Sequence, residues 1–199
     1  MSMTELAGAL FLAFFASNSV LTRSAGLDSA ERFSRTPHRT LAFAAAITLS
    51  AIAADSISFL VLHDVLPIFG IGASTLLDGV VIVLSALVTA VTAEIIVRRF
   101  VPQFLKLLGG EVFSVGYNSS VTGIVLLCHA NAAELDKSII YCLIFSASVV
   151  IMYAAISVWR LDIKEHKLPG AFRGAPILFI LLGLAAMVMQ GYAGASLPG

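Results

Sequence analysis

The sequence predicts an all-α membrane protein of six transmembrane helices, built as two inverted three-helix repeats, with the first and fourth helices interrupted. Three observations carry that expectation. The chain has 199 residues, of which 59% are apolar and only 12% charged, with a mean hydropathy of +0.98. A soluble domain runs near a quarter charged. Six apolar stretches approach the ~20 residues that cross ~30 Å of hydrocarbon. A polar break recurs in two of them, 100 positions apart, at Asn18 and Asn118.

The same arithmetic excludes other classes. The formal net charge is +0 and no basic patch is present, which argues against a nucleic-acid partner and against disorder. Two cysteines cannot staple a chain of this length.

Residues 41–63, 76–97, 139–159 and 175–193 are clear spans. Residues 4–22 form a fair one that turns polar at Ser17-Asn18-Ser19. Residues 111–128 form the weakest, interrupted by Gly116-Tyr117-Asn118-Ser119-Ser120. The first stretch lacks a basic leader and five more spans follow it, so a secretory signal is not expected.

The connecting segments carry the charge. Arg23, Arg32, Arg35 and Arg39 fall in the first, Arg98, Arg99 and Lys106 in the third, Arg160, Lys164, Lys167 and Arg173 in the fifth. Only Lys137 of the 12 basic residues lies in an even loop. By the positive-inside rule the odd loops are cytoplasmic and both termini face outward. A bacterial-type inner membrane is the expected location, with lipid as one partner.

Residues 1–199 read as a single membrane domain, with repeat one about 1–100 and repeat two about 101–199. Three spans per half makes the second half enter the membrane in the opposite sense. Paired broken helices at matching positions point to a midplane site. The alternative for Asn18 and Asn118 is that they join helices by hydrogen bonds.

Three acids fall within spans, and an intramembrane acid is by default a functional candidate. Asp55 is deepest and, with Glu94, forms the candidate ion path. Glu94 also has Arg98 at i+4, the spacing of a helical ion pair. Asp78 is read as wet at an interface. Cys, His and Glu show no zinc-site spacing and no phosphate loop is present, so no metal site is expected. Cys128 and Cys142 are read as small apolar core residues. No catalytic residue is assigned.

Several segments resemble the Rnf/Nqr integral membrane subunit family. Pro169-Gly-Ala-Phe-Arg-Gly-Ala-Pro176 and the span ending Met189-Gln-Gly-Tyr-Ala-Gly194 are similar to its final loop and helix. Ala93-Glu94-Ile-Ile-Val-Arg-Arg99, with Pro102 and Lys106-Leu-Leu-Gly109, resembles its third span and following loop. Asn18-Ser-Val-Leu-Thr-Arg23-Ser-Ala-Gly-Leu27 and Asn118-Ser-Ser-Val-Thr-Gly123-Ile-Val-Leu-Leu127 resemble its two interrupted helices. An outward N-terminus favours likeness to the A subunit of Rnf or the E subunit of Nqr.

The resemblance implies an ion-translocating electron-transport complex that moves sodium or protons. It also implies an oppositely inserted sister subunit, further subunits, and a [2Fe–2S] cluster shared with the sister. The family's cysteines come one from each broken helix, because soft thiolates hold such clusters. This chain has Asp28 and Ser119 at those positions, so it is expected to carry no cofactor of its own. Asp28 fits a helix cap with Glu31, and Ser119 a helix-packing hydroxyl. Two other readings remain beside this one. One is a non-redox inverted-repeat carrier or exporter using Asn18, Asn118 and Asp55. The other is a scaffold subunit.

Overall fold

The computed structural model describes residues 3–11, 13–14, 18, 20, 26, 37–70, 75–163 and 169–194. Every regular element among them is helical. The helices are α1 (Met3–Phe11), α2 (Pro37–Leu60), α3 (Thr75–Phe100), α4 (Pro102–Leu107), α5 (Val112–Gly116), α6 (Ser119–Asn131), α7 (Leu135–Asp162) and α8 (Ala175–Gly194).

Local chemistry sets many of the boundaries. Pro37 and Pro102 open α2 and α4, where a missing N–H costs nothing. Leu60 does not end its rod: a π turn at Val61–Val65 and a short α turn at Leu66–Ile68 continue it. Gly70, at φ +69°, then reverses the chain with its N–H on the Pro67 carbonyl. Gly109 and Gly110, at φ +69° and +87°, do the same after α4.

The fourth apolar stretch is broken where the sequence turns polar. α5 stops at Gly116, and α6 restarts behind Asn118, whose side-chain oxygen accepts the Ser120 N–H at 3.0 Å. This is an Asx N-cap. Asn18 makes the same i+2 bond, to the Val20 N–H at 3.1 Å. The first stretch is helical over Met3–Phe11, and its residues 12, 15–17, 19 and 21–22 lie outside the described set.

α2 is the central rod, packed on α3, α5, α6 and α7. Small residues permit the approach: Ala51, Ala54, Ala86 and Ala90 are fully buried. A Cβ at Gly116 would lie 3.0 Å from the Ala90 Cα, so α5 meets α3 backbone to backbone. α8 lies at the edge, with Phe179, Leu184, Met187 and Val188 exposed.

Polarity is inverted relative to a soluble domain. Leu49, Ile95, Ile151 and Met187 are more than half exposed, whereas Asn18, Ser50, Asp55, Ser58, Asn118, Ser120, Ser138 and Ser146 are buried. Hydroxyls that hydrogen-bond between or within helices, with apolar chains turned outward, suit a lipid solvent. Among the described residues, four helical runs are long and apolar enough to cross a membrane: Arg39–Ile68, Leu76–Phe100, Val112–Asn131 and Leu135–Trp159; Pro176–Gly191 is a shorter apolar helix.

Candidate functional site

Two buried polar centres lie along α6 and α7. The first is at the helix break. Gly26, at φ +77°, donates its N–H to Ser119 Oγ at 2.7 Å. Its carbonyl accepts the Tyr153 hydroxyl at 2.9 Å. Tyr153 has one hydroxyl proton, so Ser120 Oγ, 2.9 Å from it, is the donor of that second bond. Phe43 meets the Tyr153 ring edge-on at 5.3 Å. Residues 93 or more positions apart are thus joined beside the break at Tyr117-Asn118. A side chain at Gly26 would collide with Ser120 Oγ and Tyr153 OH, which explains the glycine.

Among the described residues, the donor at this break does not fit an iron–sulfur cluster. Ser119 brings oxygen where the resemblance implies sulfur, and that oxygen is already bound to Gly26. Asp28 lies outside the described residues. Cys128 is nine residues beyond Ser119 on α6, or ~13 Å at 1.5 Å per residue.

The second centre lies beneath the α6–α7 turn. Asp55 of α2 is fully buried, and the Ser138 hydroxyl sits between its two carboxylate oxygens at 3.0 and 2.8 Å. His129 Nε2 lies 3.8 Å from Asp55 Oδ1 and 2.8 Å from Ser58 Oγ. Ser58 already donates to the Asp55 carbonyl at 3.0 Å, so His129 donates to Ser58 and carries its proton on Nε2. Cys128 of α6 and Cys142 of α7 complete the group: with Asp55, their ligand atoms all lie within 4.8 Å of one another. Both cysteines are free and buried.

A pocket of about 610 Å³ adjoins this centre, lined by His63, Asp78, His129, Asn131 and Ala132 among others. His129 therefore forms part of its wall and also faces Asp55. Phe59 orders both imidazoles, stacking on His63 at 3.9 Å and on His129 at 5.8 Å.

Glu94 is placed elsewhere, near the last turn of α3. Its Oε1 accepts from Arg98 Nε at 2.7 Å, and its Oε2 accepts the Phe113 N–H at 2.6 Å. It thereby ties α3 to the first turn of α5, satisfying a donor that the helix start leaves open. Asn118 caps α6, Asn18 holds the Val20 N–H, Ser119 bridges, and Asp55 lies with the cysteines. Sequence reasoning misses that last gathering, because spacing along one helix says nothing of contacts among three.

The fold and its polar interior define a multi-pass α-helical membrane protein with a broken helix and a buried acid. No family profile matches the chain. Curated relatives do. The A subunit of the ion-translocating oxidoreductase complex of Azoarcus sp. (strain BH72) is 26% identical over 180 residues, covering 89% of this chain and 90% of that protein. Its counterpart in Alkalilimnicola ehrlichii (strain ATCC BAA-1101 / DSM 17681 / MLHE-1) is 27% identical over 195 residues, covering 96% and 98%. That of Histophilus somni (strain 2336) is 32% identical over 106 residues, about half of each chain. The chain is a divergent relative of these proteins, in keeping with its resemblance to the Rnf/Nqr membrane subunits.

Proposed function

We propose that this chain is an integral membrane component of an ion-translocating oxidoreductase complex, coupling redox chemistry to sodium or proton movement. The observation that carries the reading is similarity to curated subunits of such complexes over nearly their full length. In the complex the chain adopts six crossings as two inverted repeats, and the matching i+2 hydrogen bonds of Asn18 and Asn118 support this. Both termini face away from the cytoplasm, on the strength of the basic-residue bias. Its partners are further subunits and an oppositely inserted sister subunit, with lipid on the exposed apolar faces. The chain ligates no cluster itself, since its break offers hydroxyls.

Asp55 is the acid of the ion path. A buried carboxylate beside a pocket that His63, Asp78 and His129 help to line can take a proton or counter a passing cation, and the Ser58 and Ser138 oxygens add hard ligands. Ser138, Cys142 and Ser146 follow at i, i+4 and i+8 on one buried face of α7, leading toward Tyr153. The Ser146 hydroxyl has no partner among the described residues. Glu94 has the lesser part, because Arg98 and the α5 backbone hold it.

Affinity purification of the tagged chain from its native membrane tests the main reading. Redox-active subunits should co-purify, and recovery of a lone chain in mild detergent rejects it. Reporter fusions test the orientation separately: one placed after Ala133 should report the non-cytoplasmic side and one within 164–168 the cytoplasm. The reverse pattern overturns the orientation alone.

A further inference from the structure

We propose that Asp55, Cys128 and Cys142 form a binding site for a thiophilic divalent cation, of which Zn²⁺ is the type. Two sulfurs and a carboxylate oxygen lie within 4.8 Å of one another, on three separate helices. Donors about 2.0–2.3 Å from a tetrahedral Zn²⁺ are themselves nearly 4 Å apart, so one ion satisfies all three with small side-chain adjustments. The set is two soft ligands and one hard one. That composition suits Zn²⁺ and does not suit Na⁺, Mg²⁺ or Ca²⁺, which take oxygen.

The surroundings support the donors. The Ser138 hydroxyl holds the Asp55 carboxylate in place, as hydrogen-bond partners of metal-ligating carboxylates do. Three protein ligands leave a fourth position for water. His129, on the wall of the adjoining pocket, marks the side from which an ion arrives. His63 and Asp78 on the same pocket offer further donors for its capture. On binding, two S–H bonds break and two Zn–S bonds form. Two protons pass to water and no electron moves.

The site also has a consequence that rests on the proposed ion path. A carboxylate bound to Zn²⁺ cannot exchange a transported ion, so the metal-bound state is transport-silent. The binding test does not depend on that consequence, and its failure leaves the transport reading intact.

The full-length chain is purified in detergent under reducing conditions and titrated with Zn²⁺ against a chromophoric chelator, and with Cd²⁺ in the ultraviolet. One equivalent of Zn²⁺ and a thiolate-to-cadmium charge-transfer band are expected. Cys128→Ser and Cys142→Ser should each lose the band, and Ser138→Ala should weaken Zn²⁺ binding about 10- to 100-fold. Absence of the band from the monodisperse wild type overturns the proposal. So does unchanged binding in a folded double-serine variant. If the serine variants do not fold, the wild-type band decides alone, together with protection of both cysteines by Zn²⁺ from a small methylthiolating reagent. Recovery of a Cys128–Cys142 disulfide from membranes whose thiols were trapped at lysis would also overturn it.

Discussion

Along α6 and α7, hydroxyls gather at the helix break and sulfur gathers two and a half turns farther on. At the break, Gly26, Ser119, Ser120 and Tyr153 form a closed set in which each bond satisfies a backbone or hydroxyl group. Beneath the turn, Asp55, Cys128, Cys142 and His129 form a set of ionisable groups beside a pocket. The first arrangement satisfies the Gly26 N–H and carbonyl, which would be costly if left unpaired in lipid. The second concentrates groups that exchange protons or hold cations. On the proposed function the difference separates scaffolding from chemistry within a single helix pair, and each region can be tested against it.

The largest effect is expected at the closed set. Gly26→Ala places a methyl against Ser120 Oγ and Tyr153 OH at a positive φ, a conformation costing a bulkier residue about 1–3 kcal/mol before any collision. The variant should fail to accumulate as monodisperse protein on size-exclusion chromatography. A normal profile would break the view of the helix break as closed. Asp55→Asn should spare folding and remove function. The amide oxygen still accepts from Ser138, but the neutral group cannot exchange a proton or counter a cation. Sodium or proton uptake by proteoliposomes carrying the assembled complex should fall toward background, with subunit content unchanged on a blot. Unchanged uptake would make Asp55 a structural acid.

Tyr153→Phe should cost about 1–3 kcal/mol by leaving the Gly26 carbonyl and Ser120 hydroxyl each short of a partner. For a chain of this size each kcal/mol is roughly 2–4 °C in the melting midpoint, readable by thermal unfolding in detergent. Glu94→Gln should be mildest, about 0.2–1 kcal/mol. Its ion pair with Arg98 is half in solvent, and the amide oxygen still accepts the Phe113 N–H. A loss of uptake in Glu94→Gln larger than in Asp55→Asn would invert the order of the two acids.

The helix break at Asn118 was legible because Tyr-Asn-Ser-Ser cannot be read as continuous apolar helix, and Asn is a good cap. The core spans were legible from hydropathy, but their ends were not. The apolar stretch 139–159 is helical over Leu135–Asp162, because hydropathy reports the thickness of hydrocarbon and hydrogen bonding continues past it. The helix Pro102–Leu107 carried a signal, a proline at its first position, but it is too short for a hydrophobic period. Cys128 and Cys142 are buried, as expected of small core residues. Their nearness to Asp55 depends on how α2, α6 and α7 rotate about their axes, which no local pattern in one helix records.

The π turn at Val61–Val65 makes this rod unequal in its tolerance of changes in length. A π turn holds an extra residue relative to α, so deleting one position there lets ordinary bonding resume. The deletion would leave Pro67 and Ile68 close to the faces they now present, and both are exposed in any case. The same deletion two turns earlier would carry one side of α2 around instead, turning Asp55 away from Ser138 or Ser58 away from His129. Natural insertions and deletions in this rod should therefore collect between Val61 and Val65.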